Sequence, residues 1–142
     1  MPQQMLDPER TDALAGMPGL APRPTVLVVD DEPSIVELIA EVLQNTGYRV
    51  LLARDGRAAL ALARREHPAL VLTDRDMPEI DGNGLAQRLR AGATTRNIPV
   101  VIMSSTHSTT DDTLHIPFLA KPFDLDDMLA TVAEYVGPGD TR

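Results

Sequence analysis

Short β-branched and aliphatic runs alternate with longer segments of helical period along most of this chain, and that alternation restricts its fold most. Thr25 to Val29 is a continuous run of this kind, as expected of a strand buried on both faces. Ile35, Leu38, Ile39, Val42 and Leu43 follow at the spacing of one helix face, with Gly47 just beyond as a stop. Tyr48 to Ala53 reads as a second strand. Asp55 then caps an Ala-rich helix reaching about Glu66 and closed by His67-Pro68. Leu70 to Thr73 is a third strand, and Leu85 with Leu89 marks a third helix ended by Gly92. Val100 to Met103 and Phe118 to Ala120 are the fourth and fifth strands. Asp124 caps a last helix with Leu125, Met128, Leu129, Val132 and Val136 on one face, and Gly137-Pro138-Gly139 terminates it. Strands regularly separated by helices imply an α/β fold, a parallel sheet with helices on both faces.

At 142 residues and 43% apolar, the chain has the size and core of one domain. Met1 to Pro24 stands apart: five of the twelve prolines fall there among scattered apolar residues, so 1–24 is expected to be a mobile arm. Residues 25–137 form the domain, and 138–142 are a tail. The net charge of −8 argues against direct binding of nucleic acid, whose phosphates an acidic surface repels. The lack of cysteine removes disulfides, thiolate catalysis and cysteine zinc sites. No apolar run approaches the roughly 20 residues of a membrane span, and the first residues form no secretory leader. A cytoplasmic protein is expected, with no membrane partner.

In parallel sheets chemistry collects beyond the carboxyl ends of the strands. Here those positions hold Asp30 and Asp31 after the first strand, Asp74 after the third, Ser104 after the fourth and Lys121 after the fifth. Each residue alone has a bland explanation. Asp30-Asp31-Glu32-Pro33 suits a helix cap, Asp74 a turn, Ser104 a cap, and Lys121 a stem lying over the surface. Their convergence on one rim is harder to explain that way. Lys121 is also the only lysine among thirteen basic residues, and a compact ammonium differs in kind from a guanidinium fork. Crowded carboxylates raise one another's pKa unless a cation intervenes. Their oxygens suit Mg²⁺, which takes few protein ligands and keeps water and phosphate oxygens. Three carboxylates, one ammonium and one divalent ion leave the rim neutral. Such a rim can accept a phosphoryl group, toward which a carboxylate is a competent nucleophile.

The stretches Val28-Val29-Asp30-Asp31-Glu32-Pro33, Asp74-Arg75-Asp76-Met77-Pro78-Glu79-Ile80-Asp81-Gly82 and Lys121-Pro122-Phe123 resemble the receiver domain of two-component response regulators, over about Thr25 to Val136. That resemblance implies a flavodoxin-like, five-stranded parallel sheet in order 2-1-3-4-5. It implies Asp74 as phosphoacceptor. It also implies Mg²⁺ held by Asp31, Asp74 and the backbone carbonyl of Asp76, with Asp30 acting through water. Ser104 and Phe118 would be the switch residues, Lys121 the partner of the phosphoryl oxygens, and Lys121-Pro122 a cis bond. The donor would be a sensor histidine kinase or phosphotransfer protein. The output would be an unknown protein, a second copy included. The chain would catalyse only its own phosphorylation and dephosphorylation. No effector follows Gly137, so it is expected to act by changing what it binds.

Two departures stand out. Between Ser104 and Lys121 the family fits a fourth helix, but Ser105 to Pro117 is polar, Thr-rich and without an apolar stripe. That helix is expected to be missing or reduced, with switching by loop ordering instead. His107 and His115 lie in this stretch and read as solvated groups. Asp76 adds a carboxylate two residues beyond the acceptor. Two rival readings follow. One is a receiver-like interaction module that phosphorylation does not switch. The other is a phosphohydrolase of the haloacid-dehalogenase type, because Asp74-Arg75-Asp76 is similar to that family's Asp-x-Asp pair. That family, however, places its pair on the first strand rather than the third.

Overall fold

The computed structural model describes residues 23–105 and 116–137. The arm, the tail and the stretch expected to lack a helix, with His107 and His115, therefore lie largely or wholly outside the described residues. The elements run β1 (Thr25–Val29), α1 (Pro33–Asn45), β2 (Arg49–Ala53), α2 (Gly56–Glu66), β3 (Leu70–Asp74), α3 (Gly82–Ala91), β4 (Val100–Ser104), β5 (Phe118–Ala120) and α4 (Leu125–Val136). The strands form one sheet in the order β2-β1-β3-β4-β5. Every pairing in it is parallel, with Val28 opposite Leu52 on one side and Leu72 on the other. The order is the one the family likeness implies. β3 and β4 each run one residue further than their apolar runs, because Asp74 still pairs with Met103 and Ser104 with Ala120. β2 starts one residue later than expected, at Arg49.

Alternation along the strands divides the core into two layers. Val26, Val28, Leu70, Leu72, Val101 and Met103 face α1 and α4, whereas Leu27, Val29, Val71, Val100 and Ile102 face α2 and α3. All of these strand residues are at most 5% exposed. A sheet covered on both sides explains why its strands read as unbroken apolar runs.

The structure corrects two local expectations. α1 buries Val36, Ile39, Ala40 and Leu43, spaced i, i+3, i+4 and i+7, while Leu38 is 47% exposed. Its α-helical position is about 200° round from Val36, so it falls off the buried stripe. Asp55 and Asp81 cap their helices through side-chain oxygens 2.7 Å from the Ala58 and Gly84 N–H groups. Asp124 occupies the same position on α4 without such a bond, and the acids of that first turn are Asp126 and Asp127. Gly47 and Gly137 follow their helices with φ of 102° and 83°. Tyr48, 1% exposed, donates its hydroxyl to the Gly137 carbonyl at 2.8 Å and so ties the start of β2 to the end of α4. Among the described residues no helix is long and apolar enough to cross a membrane.

Candidate functional site

Because all five strands run in one direction, the residues leaving them share one edge of the sheet. β1 and β3 are neighbours, which brings Asp30 and Asp31 beside Asp74. Carboxylate oxygens of the three lie within 4.8 Å of one another. Asp30 is 1% and Asp74 7% exposed, whereas Asp31 faces solvent. Lys121 comes from the far edge strand. Its backbone N–H is anchored on the Ser104 carbonyl at 2.8 Å, and its long stem returns across the end of β4. The ammonium then donates to Asp74 Oδ1 at 3.1 Å and to Asp30 Oδ2 at 3.3 Å. The Lys121-Pro122 bond is cis, as the resemblance implies.

Asp30 and Asp31 do not serve as a helix cap. Glu32 takes that position without a side-chain bond, and Pro33, which has no N–H to satisfy, opens the helix. Asp30 instead accepts the Glu32 N–H on Oδ1 at 3.0 Å, which fixes its other oxygen toward Lys121.

Asp74 is held through its own main chain. The buried Thr73 hydroxyl donates to the Asp74 carbonyl at 3.0 Å, the Arg75 N–H reaches the Met103 carbonyl at 2.9 Å, and the Gly82 N–H reaches the Arg75 carbonyl at 2.9 Å. A Cβ at Gly82 would lie 2.6 Å from the Asp74 carbonyl oxygen and 2.9 Å from Arg75 Cα. Only glycine fits there. Sequence reasoning assigned no role to Thr73 or Gly82. The available signal was a glycine, the poorest ordinary helix former, at the first position after the Asp81 cap.

Burial pushes the Asp74 carboxyl above its ordinary range. The Lys121 hydrogen bond opposes that rise, Asp30's charge adds to it, and a hydrogen bond from the Asp76 N–H opposes it. Burial pulls the Lys121 ammonium the other way, but its bond to Asp74 and the charges of Asp30 and Asp74 outweigh this and hold it above its ordinary value. The lysine stays charged, while the acid cluster still carries more negative charge than one ammonium balances. Hard, closely spaced carboxylate oxygens with surplus charge suit a divalent ion such as Mg²⁺.

Ser104 ends β4, 1% exposed, where Lys121 is rooted, and Phe118 lies half-buried opposite Ile102. Asp76 is exposed and outside the cluster of three carboxylates. Beside Lys121 runs an apolar groove of about 440 Å³ lined by Ile35, Leu38, Pro122, Phe123 and Leu125. Leu38 is thus exposed into a concave surface at the rim of the acid cluster.

The model of the response regulator receiver domain family matches residues 26–133. The DNA-binding dual master transcriptional regulator RpaA of Synechocystis sp. is 37% identical over 114 residues, 77% of this chain and 47% of its own length. The chain spans about half the length of the curated relatives it matches. The chemotaxis protein CheY4 of Vibrio cholerae superposes with a TM-score of 0.75 at 28% identity, over 80% of this chain and 98% of its own. The receiver domain of the Pseudomonas aeruginosa sensor histidine kinase PA1611, solved with a magnesium ion in its active-site cleft, gives 0.74 at 28% identity, over 81% and 98%. With a family model spanning residues 26–133 and a five-stranded parallel sheet that superposes on solved receiver domains, the chain belongs to the response regulator receiver domain family.

Proposed function

We propose that this chain accepts a phosphoryl group on Asp74 and thereby switches a protein–protein interaction. The observation that carries the reading is Lys121 Nζ within hydrogen-bond distance of both Asp74 and Asp30 at the edge of the parallel sheet. Members of this family are signalling proteins rather than enzymes acting on a separate substrate. The chain catalyses only its own phosphorylation and dephosphorylation.

Asp31, Asp74 and the backbone carbonyl of Asp76 would hold Mg²⁺ directly, with Asp30 through water. The bound ion would neutralise charge on the equatorial phosphoryl oxygens. An Asp74 carboxylate oxygen attacks phosphorus in line. As the O–P bond forms, the P–N bond to the donor's imidazole breaks, and its electron pair leaves on the ring nitrogen. Hydrogen bonds donated by the Thr73 hydroxyl and by the Arg75 and Gly82 N–H groups keep the nucleophile in place, so little reorganisation accompanies the attack. Lys121 exchanges a carboxylate partner for a phosphoryl oxygen. The Ser104 hydroxyl donates to another phosphoryl oxygen, and Phe118 follows it inward.

The donor is a sensor histidine kinase or a phosphotransfer protein, whose histidine must approach over the rim formed by α1 and the β5–α4 turn. The apolar groove there suits a helix carrying that histidine. The output partner is a protein. DNA binding belongs to the printed name of the longer relative RpaA and is not carried to this chain.

Labelling of the full chain by acetyl phosphate tests the reading. It should require Mg²⁺, stop with chelator and disappear in Asp74→Ala. Undiminished label on that variant would overturn the assignment. Labelling that leaves every binding and exchange property of the chain unchanged would favour the unswitched interaction module. Catalytic turnover of a small phosphate ester would favour the phosphohydrolase.

A further inference from the structure

The whole net charge of the chain sits on one layer of the fold. Residues 31–48 and 122–137 hold eight acids and neither Arg nor Lys, whereas the thirteen acids elsewhere are matched by thirteen basic residues. These two stretches supply α1 and α4, which cover the same face of the sheet. Between them runs the apolar groove of about 440 Å³, with Ile35 and Leu38 on one bank and Phe123 and Leu125 on the other. A concave apolar surface therefore lies open within the acidic layer.

Stability of the helices does not account for these acids. Glu37, Glu41, Asp124 and Asp126 are exposed and, among the described residues, make no salt bridge. Asp126 complements the dipole at the start of α4, but Glu37 and Glu41 stand within α1, four residues apart, and repel one another. Asp124 makes no side-chain cap bond. Glu41 lies three residues after Leu38, and Asp126 directly follows Leu125, so both flank the groove-lining residues of their helices. Lys121 brings the groove its cation, and that ammonium is already committed to Asp74 and Asp30.

We propose that the groove receives a basic amphipathic helix of a partner protein, with apolar side chains at i, i+3, i+4 and i+7 on the entering face and Lys or Arg along both flanks. The apolar anchors fill the groove, while the flanking cations meet Glu37 and Glu41 on one bank and Asp124 and Asp126 on the other. Charge disfavours the other occupants. A second copy docked through the same face would set eight acids against eight, and residues 1–22 bring Asp7, Glu9 and Asp12 against Arg10. The acidic layer also steers a basic helix to this face rather than to the balanced remainder of the surface. Identifying that helix as the phosphodonor's rests on the function proposed above; the docking surface stands without it.

The test is titration of the full chain in chelator, followed by amide shifts, with three synthetic helical peptides of about 18 residues, or five turns. One carries a leucine stripe flanked by Lys, the second the same stripe flanked by Glu, and the third the composition of the first in scrambled order. The Lys-flanked peptide should saturate, with shifts centred on Leu38, Phe123 and Leu125, and should bind at least about tenfold more tightly than the other two. Raising the salt should weaken it. Leu38→Ser, at an exposed position, should weaken it about tenfold, and Glu41→Gln with Asp126→Asn about fivefold. Glu79→Gln removes the same charge beside Arg57 on α2 and should change binding less than about twofold. Equal binding of the Glu-flanked or scrambled peptide, shifts centred on α2 and α3, or parental affinity in Leu38→Ser would overturn the proposal. So would shifts of the groove amides on concentrating the peptide-free chain, which would assign the groove to a second copy. Overhauser contacts from those amides to residues 1–22 would assign it to the chain's own arm and overturn it as well. Acetyl phosphate should label Asp74 of Leu38→Ser at the parental rate, because a small donor needs no groove. A parent that binds the Lys-flanked peptide but takes no label would overturn the phosphodonor identification and the function proposed above, while the docking surface stands.

Discussion

Gly82→Ala tests whether the backbone behind Asp74 is as tightly confined as the structure describes. At the first turn of α3, alanine ordinarily improves a helix by up to about 1 kcal/mol over glycine. Here the added Cβ would stand 2.6 Å from the Asp74 carbonyl oxygen and 2.9 Å from Arg75 Cα, where ordinary contact begins at 3.4 Å. Both neighbours are backbone, and both belong to the segment tied to Thr73, Met103 and Gly82 itself, so no flexible side chain can yield. Overpacking of this kind costs about 1–3 kcal/mol, and with both neighbours backbone the upper part of that range, about 2–3 kcal/mol, applies, so after the propensity gain a net loss of about 1–2 kcal/mol remains. The strain is relieved only by moving the acceptor peptide by several tenths of an ångström. Since a displacement of about 1 Å can cost roughly a hundredfold in rate, labelling of Asp74 should slow by roughly tenfold. Urea unfolding gives the first quantity and acetyl phosphate labelling the second. Gly84→Ala is the control. Its Cβ would meet the Asp81 cap oxygen at 3.2 Å and Ile80 Cγ2 at 3.5 Å, so stability should stay within about 0.5 kcal/mol of the parent. A Gly82→Ala protein as stable as the parent and labelled at the same rate would refute the reasoning.

Four further outcomes follow from the same geometry. Burial, reinforced by Asp30's charge, holds Asp74 above the ordinary carboxylate range, so the folded chain binds that proton more tightly than the unfolded chain. The resulting stability is full below the ordinary range and is lost as pH rises through the raised value. Asp74→Asn should therefore exceed the parent's stability at neutral pH in chelator, with the gap closing toward about pH 3; a less stable variant at neutral pH contradicts this. Asp31→Ala should lose Mg²⁺ affinity at least tenfold by titration while keeping its melting temperature, because Asp31 is exposed; unchanged affinity removes Asp31 from the ligand set. Lys121→Arg keeps the charge but cannot place one compact ammonium 3.1 and 3.3 Å from two carboxylates, so labelling should fall about tenfold; parental rates would show that any cation suffices. Tyr48→Phe removes the bond to Gly137 and should cost about 1 kcal/mol in urea unfolding, with no effect on labelling.

Much of the fold was legible because its determinants are local. A strand covered on both faces must be apolar almost throughout, so Thr25 to Val29, Leu70 to Thr73 and Val100 to Met103 announce themselves within four or five residues each, and the structure extends the last two by one polar residue. Helix caps and stops are equally local, as Asp55 and Gly47 illustrate. The acids and the lysine were legible as a group because parallel strands send all their carboxyl ends to one edge. The identity of the family came from the order of three motifs rather than from any single residue. The strand order came from that likeness, since no apolar pattern encodes which strand lies beside which.

What only the tertiary structure decided are distances between segments remote in sequence. The rotation of α1, which buries Val36 and leaves Leu38 beside Phe123 in a groove, depends on where α4 sits rather than on the helix's own period. Lys121 reaches Asp30 across 91 residues because β5 lies two strands from β3 and three from β1, a span its stem can bridge. Gly82 is required because a Cβ there would lie 2.6 Å from the oxygen of a carbonyl eight residues earlier in the sequence. Local pattern determines which residues are strand, helix and rim; packing determines which of those residues touch, because contact depends on sub-ångström fit that no periodicity records.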